Sequence, residues 1–168
     1  NDNWGIEYAY VSTIHAYTGD QRLHDAPHKD LRRARAAAVS IIPTTTGAGK
    51  AIAKIFPHLE GKIGGTSVRV PVADGSITDI TCEFKVAITA KELNAAFKKA
   101  AEGELKGIME YSEEPLVSID IVGNPHSCIF DAESTTVLGN MVKIMGWYDN
   151  EYGYSNRLVD LVAKISAK

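Results

Sequence analysis

The stretch TSVRVPVADGSITDITCEFKVAI, residues 66–88, sets the reading of the fold. It holds two β-rich runs, TSVRVPV and SITDITCEFKVAI, joined by the turn signal Ala73-Asp74-Gly75. Upstream, NDNWGIEYAYVSTIHAYT begins as a loop and then alternates. Ile6, Tyr8, Tyr10, Ser12 and Ile14 fall on one face, and Val11, Thr13, His15 and Tyr17 on the other. Downstream, Thr89-Ala90-Lys91-Glu92 fits a capping box and opens a helix that turns Leu93 and Phe97 inward. STTVLGNMVKIMGWYD, residues 134–149, reads as a hairpin turning at Gly139-Asn140.

Between the first strand and the opening stretch, GDQRLHDAPHKDLRRARAA is polar and proline-punctuated, then helix-friendly near its end. A connection of this length between core elements tends to be functional or to pack against a partner. IIPTTTGAGKAIAKIFPHLEG reads as an extended piece, a threonine/glycine turn and a helix striped by Ile52, Ile55, Phe56 and Leu59. A last helix carries Leu158, Leu161, Val162 and Ile165. Strands gathered around a few helices, with hairpins rather than regular βαβ units, define an α+β fold. Its sheet is expected to be mixed and largely antiparallel, with helices packed on one face. No GxGxxG follows the first strand, so no dinucleotide-binding domain is expected within these residues.

The chain has 168 residues, of which 45% are hydrophobic and 23% charged, values ordinary for one globular domain. A formal net charge of −3 does not suggest binding to nucleic acid or to an anionic membrane surface. No apolar run reaches membrane-spanning length. Cys82 and Cys128 stand far apart and form no CxxC motif, which suits a reducing compartment better than a disulfide-built fold. The first residue is Asn1 rather than methionine, and the expectation is a piece of a larger protein.

Five groups carry candidate chemistry, each with a plainer alternative. TTTGAGK, residues 44–50, can present hydroxyl and N–H donors to an anion at a helix start; the plainer reading is a capped turn. It is not a nucleoside-triphosphate phosphate loop, because Thr44 and Ala51 stand where that motif needs glycine and Ser/Thr. Arg32, Arg33 and Arg35 in LRRARAAA offer forked donors suited to phosphate, or line a solvated or interface-facing helix surface. Arg69, flanked by two valines, either faces solvent or is held by an anion or carboxylate. His15 closes a strand just before Thr18, Gly19 and Asp20, where a general base would meet substrate, although a lone strand histidine is more often structural. His126 and Cys128, two apart, would share a face in an extended segment and could form a thiolate pair; a buried cysteine beside a surface histidine is the plainer reading. His24 and His28 are four apart, but Pro27 breaks the helix that metal ligation would need.

Taken together, HAYTGDQ, DLRRARAAA, IIPTTTGAGKA, SVRVPVADGSITDITCEF and WYDNEYGYSNRLVDL resemble, in order, phosphorylating glyceraldehyde-3-phosphate dehydrogenase of the bacterial type. The resemblance runs essentially from Asn1 to the last residue. It implies an oxidoreductase of glycolysis, in which a cysteine of a Ser-Cys-Thr-Thr-Asn motif attacks the aldehyde of glyceraldehyde 3-phosphate. Hydride passes to NAD, and inorganic phosphate releases the acyl group as 1,3-bisphosphoglycerate. His15 matches the histidine that activates the thiol. Thr18 and Arg69 match the residues for the substrate phosphate; Arg33, Thr46 and Gly47 match those for the attacking inorganic phosphate. Asn150 matches the residue that holds the nicotinamide carboxamide, and Tyr154 the ring near it.

The resemblance further implies a cytoplasmic homotetramer. Residues 17–35 would line the NAD site of an adjacent subunit. The nucleophile motif is absent from these residues, and neither Cys82 nor Cys128 sits in its context. Residues 1–168 are therefore expected to form most of a catalytic domain, with the NAD-binding Rossmann domain and the nucleophile supplied from elsewhere. The helix at about 154–168 would pack on that domain. The alternative is a binding or interaction module that keeps the fold and has lost the chemistry.

Overall fold

The computed structural model describes residues 1–167, and of residues 48–50 the backbone alone. Lys50 of the TTTGAGK turn and Lys168 at the end of the expected last helix lie outside the described side chains. Among the described residues the strands form one seven-stranded sheet. They are β1 (Ile6–Ala16), β2 (Ile42–Thr44), β3 (Ile63–Val70), β4 (Ser76–Phe84), β5 (Met109–Ser112), β6 (Cys128–Leu138) and β7 (Met141–Tyr148). Their order across the sheet is β2-β3-β1-β4-β7-β6-β5. The β1–β3 and β5–β6 pairs are parallel, and the other neighbours are antiparallel. The sheet is thus mixed and largely antiparallel, as the element order implied.

The two runs of the opening stretch do not form a hairpin with each other. β1 lies between them, parallel to β3 and antiparallel to β4. The Ala73-Asp74-Gly75 turn must therefore step over a whole strand. Gly75 adopts φ +87°, and a Cβ there would lie 2.6 Å from the Ser118 carbonyl oxygen. The β6–β7 hairpin forms as read, closing through Gly139 at φ +62° with Leu138 opposite Met141.

Helix α2 (Ala90–Glu102) covers one face of the sheet. Its capping box is complete: the Glu92 N–H donates to Thr89 Oγ1 at 3.2 Å, and the Thr89 N–H donates to Glu92 Oε2 at 2.8 Å. Leu93 is fully buried against Cys82, Phe84 and Val142, and the Phe97 and Phe130 rings stack at 4.0 Å. Truncating a leucine so enclosed costs about 2–5 kcal/mol. A register shift between Ile6 and Tyr8 lets Ile6 join Ala9 on this core face. Tyr8 and Tyr10 stand exposed on the other.

Two local expectations resolve differently. The helix α1 (Ala48–Ile55) stops four residues short of Leu59, because Pro57 turns Phe56 to φ −123°, ψ 78°. Leu59 is buried from a short 3₁₀ turn instead, while Ile55 is exposed. Residues 31–36 form turns rather than the start of a helix. Asp30 Oδ1 accepts from the Arg32 and Arg33 N–H groups, and Asp25 Oδ1 accepts from that of Ala36. Asp30 thereby caps a single turn, closed by the Ala34 N–H on the Asp30 carbonyl at 3.1 Å, and Asp25 takes the Ala36 N–H that the next turn would have used. The last helix, α3 (Tyr152–Ser166), forms, but Leu158, Leu161, Val162 and Ile165 are all exposed.

Gly75→Ala should lower the unfolding free energy by about 2 kcal/mol or more, since it adds both left-handed strain and a backbone clash. A urea unfolding midpoint unchanged from the parent chain would contradict this placement of the turn.

Candidate functional site

A row of side chains crosses four neighbouring strands at one end of the sheet. The parallel β1–β3 register sets His15 beside Arg69. On the other side, the antiparallel register runs through Ile14–Ile77, so that Ser76 follows at the end of β4 and pairs with Tyr148 of β7. The Ala16 N–H donates to Ser76 Oγ at 3.1 Å, and Ser76 Oγ donates to Asn150 Oδ1 at 2.7 Å. The His15 and Tyr148 rings meet edge to face with centroids 6.1 Å apart. His15, Asn150 and Tyr154 line one cavity of about 320 Å³, together with Ser127 and Arg157.

His15 Nδ1 lies 2.7 Å from the Ala16 carbonyl oxygen, and the Arg69 guanidinium presses on the same ring nitrogen. The carbonyl can only accept and the guanidinium can only donate, so the two partners of Nδ1 call for opposite tautomers of the neutral ring; Arg69 Nη1 also donates to the Ala16 carbonyl at 3.1 Å. Burial, with the Arg69 charge adding to it, lowers the His15 pKa from 6.5 against the pull of the carbonyl bond. A neutral ring with an open lone pair is the form of histidine that accepts a proton.

Arg69 is half-buried, and burial together with the charge of Arg33 lowers its pKa, which marks the two guanidinium groups as neighbours. Arg33 is held from the loop. It donates to Thr44 Oγ1 through Nε at 3.0 Å and Nη2 at 2.6 Å, and it pairs with Asp20. That hydrogen bond, outweighing slight desolvation, keeps the Asp20 carboxyl below its usual range. Thr18 is fixed by Gln21, whose Oε1 accepts the Thr18 N–H at 3.1 Å. Thr46 and Gly47 lie apart from the His15 cavity. Thr46 lines a separate groove of about 650 Å³ with Lys54 and Glu60, and Gly47 caps α1. The structure thus brings His15, Arg69, Asn150 and Tyr154 together and sets Arg33 next to them.

The His126–Cys128 pair does not form a thiolate site. His126 Nδ1 turns to Asn124 Oδ1 at 2.8 Å and Glu110 Oε2 at 3.1 Å. Burial pushes the Cys128 thiol up to about 11, and that of Cys82 likewise to about 11. Among the described residues no group of three or more His, Cys, Asp and Glu side chains could hold a metal ion.

Residue reading alone missed Ser76, Tyr148, Asp149 and Arg157. Asp149, 2% exposed, accepts backbone N–H groups from Gly123 and Tyr152 at 2.7 Å each and from Glu151 at 2.9 Å. Against the cost of burial these donors hold its carboxyl low, while burial raises that of Asp74 beside it. Asp149 thereby anchors the residue after Asn150 and the first turn of α3. A buried aspartate immediately before a site asparagine in WYDNE was the available signal.

A base, two guanidinium groups and a carboxamide are gathered at one end of a mixed sheet, a set of groups able to bind an anion beside a proton acceptor. Residues 1–150 match the family "Glyceraldehyde 3-phosphate dehydrogenase, C-terminal domain", and the chain belongs to that family. It is 62% identical over 162 residues to glyceraldehyde-3-phosphate dehydrogenase 2 of Streptomyces avermitilis, covering 96% of this chain and 48% of that protein. The enzyme of Mycobacterium avium is 58% identical over 165 residues, 98% of this chain and 49% of its own. Glyceraldehyde-3-phosphate dehydrogenase 1 of Bacillus cereus is 57% identical over 169 residues, 100% of this chain and 51% of its own. The chain spans about half the length of the curated relatives it matches.

Folding lowers the His15 pKa, so below pH 6.5 the unfolded chain takes up a proton that the folded chain resists. The stability this ring contributes is present above pH 6.5 and is lost as pH falls through the lower folded value. His15→Gln should flatten that part of the urea-midpoint profile, and the ring protons of His15 should titrate below 6.5 by NMR. In thiol mapping at pH 8, Cys82 and Cys128 should both react far more slowly with iodoacetamide than free cysteine does. A fast-reacting Cys128 would reopen the pair with His126.

Proposed function

We propose that the chain is the substrate-handling half of a phosphorylating glyceraldehyde-3-phosphate dehydrogenase. The observation that carries this reading is the contact of Arg69 with His15 across the β1–β3 pair. An anion-binding group and a neutral base then act on the two ends of one small phosphorylated aldehyde. Arg69 and Thr18 hold the substrate phosphate; Arg33, Thr46 and Gly47 receive the inorganic phosphate that ends the reaction. Thr44 fixes the Arg33 fork, and the incoming phosphate takes the place of the Asp20 carboxylate upon it. Two separate positive wells in a chain of net charge −3 suit a substrate with one phosphate that reacts with a second.

His15 takes the proton of a cysteine thiol, raising its thiolate fraction, and later handles the proton released as hydride leaves. That cysteine comes from a motif shortly upstream of Asn1, and the main NAD-binding surface from a Rossmann domain outside residues 1–168, on which the helix at about 154–168 packs. The Asn150 amide and the exposed Tyr154 ring, lining the His15 cavity, suit the planar carboxamide ring of nicotinamide. NAD supplies the hydride acceptor. The parent enzyme is read as a cytoplasmic homotetramer, and no helix of the described residues is long and apolar enough to cross a membrane.

A second reading, an interaction module without chemistry, draws on the exposed α3 stripe and on Tyr8 and Tyr10. One chimera separates the two. Residues 1–168 replace the matching half of the Streptomyces avermitilis relative, and NADH formation from glyceraldehyde 3-phosphate and phosphate is followed. Turnover is expected. Arg69→Ala should raise the KM for the aldehyde at least about tenfold, the cost of losing a charge-assisted bond. Loss of His15 should lower kcat about 10²-fold or more. A chimera that assembles but makes no NADH favours the interaction module.

A further inference from the structure

The donors of Arg33 are divided between two sides of its guanidinium. On one side Thr44 Oγ1 accepts from Nε at 3.0 Å and from Nη2 at 2.6 Å, with Asp30 Oδ2 3.5 Å from Nε. On the other side Nη1 is closed by Asp20 Oδ2. An anion that binds Arg33 has to take Nη1 from this carboxylate. Asp20 then needs another partner, or it stays as a free negative charge beside the anion.

His28 stands next to the other oxygen of Asp20. Its Nε2 lies 3.7 Å from Asp20 Oδ1, the oxygen that Arg33 does not use. The His28 side chain is 8% exposed, against 56% for Asp20, so the ring is the fixed partner and the carboxylate the one free to turn. His28 Nδ1 lies 2.9 Å from the Asp30 nitrogen and 3.1 Å from the Asp30 carbonyl oxygen. An imidazole carries its proton on either nitrogen or on both. With the proton on Nε2 alone, Nδ1 accepts the Asp30 N–H; with both protonated, Nδ1 donates to the Asp30 carbonyl. Either form presents an N–H to Asp20. The third form would set a lone pair against a carboxylate and is disfavoured.

Asp20 is thus bracketed by two donors, one for each oxygen. Closing the gap to His28 takes a movement of about 1 Å, within reach of a rotation of one exposed side chain. Asp30 has no such freedom, because its Oδ1 accepts the Arg32 N–H at 2.9 Å. We infer that His28 is a positioning residue that takes over the Asp20 carboxylate when an anion displaces it from Arg33. The inference rests on the reading of Arg33 as receptor of inorganic phosphate for its ligand, and on the loop geometry for the transfer. Held by His28, the carboxylate neither returns to Nη1 nor repels the incoming anion at close range. His28 touches neither phosphate nor the reacting atoms, so its effect falls on phosphate affinity rather than on the chemical step.

Two measurements test it, the first by NMR on the 168-residue chain itself without ligand. Arg33→Gln releases Asp20, and the His28 ring resonances should shift as Nε2 gains the carboxylate. Adding Asp20→Asn to that variant should remove most of the shift, since the neutral amide accepts far more weakly. His28 resonances indifferent to Arg33→Gln, or shifted equally with and without the Asp20 carboxylate, overturn the inference.

The second measurement is a double-mutant cycle in the chimera with the Streptomyces avermitilis relative, read through the KM for inorganic phosphate. His28→Asn keeps an acceptor for the Asp30 N–H and is too short to reach Asp20. It should raise that KM about fivefold, the worth of one hydrogen bond, with kcat and the KM for the aldehyde little changed. His28→Gln, whose longer amide reaches toward Asp20, should recover most of the loss. With Asp20→Asn already in place, no carboxylate needs a second partner, and His28→Asn should leave the KM for phosphate unaltered. An equal effect of His28→Asn in both backgrounds shows a merely structural role and overturns the inference, as does no effect in either. A chimera that makes no NADH refutes the phosphate reading of Arg33 instead, and the resonance test still decides the transfer of Asp20.

Discussion

Two sets of backbone hydrogen bonds on β1, to β3 on one edge and to β4 on the other, hold the whole arrangement. The parallel register places His15 opposite Arg69, 54 residues away in the chain. The antiparallel register carries the row on to Ser76 and Tyr148. Side chains alternate along a strand, so a slip of one residue in either pairing would send half of this row to the opposite face. The core prevents the slip. Ala9, Ile80, Cys82 and Phe84 share the face that meets Leu93 of α2, and shifting β1 would expose Val11 and Thr13.

Electrostatics at the site follow from what each charge is set against. Arg69 lies against the backbone carbonyl of Ala16 and the His15 ring rather than against a carboxylate. Its charge stays available to a ligand and also helps keep the histidine neutral. Arg33 is different, because Asp20 and Thr44 already occupy its fork. Asp20 is 56% exposed, and an exposed ion pair of this kind is weak enough for a dianion to displace. On the other side of His15, Asp74, Asp149 and Glu151 form an acidic border, with Asp149 satisfied by backbone N–H groups. The site is positive at Arg33 and Arg69 and negative where α3 begins.

Elements with strong local signals were legible in advance. The Thr89–Glu92 box, the Gly139-Asn140 turn and the alternation of β1 each depend on chemistry within a few residues. Where a local pattern had a competitor, the competitor won. Asp25 took the Ala36 N–H that a helix through LRRARAAA needed. Pro57 ended α1 before its apolar stripe was complete. The four-residue β5 carries too little pattern to stand out, and it exists because β6 offers it a parallel edge. His15 and Arg69 were recognised separately as candidates, but nothing in their sequence separation says that they touch.

The amino-acid sequence by itself determined the mixed α+β class, the helix boundary at Thr89, the β6–β7 hairpin and the residue types able to bind anions and move a proton. Those properties reside in local spacing and side-chain chemistry, which any stretch of chain carries with it. Tertiary structure alone decided that β1 divides the two runs of residues 66–88, that Arg69 meets the His15 ring, and that the buried Ser76 bonds to Asn150. Such relations are made by hydrogen bonds between strands distant in sequence. Their partners are chosen by which face of each strand the core can bury.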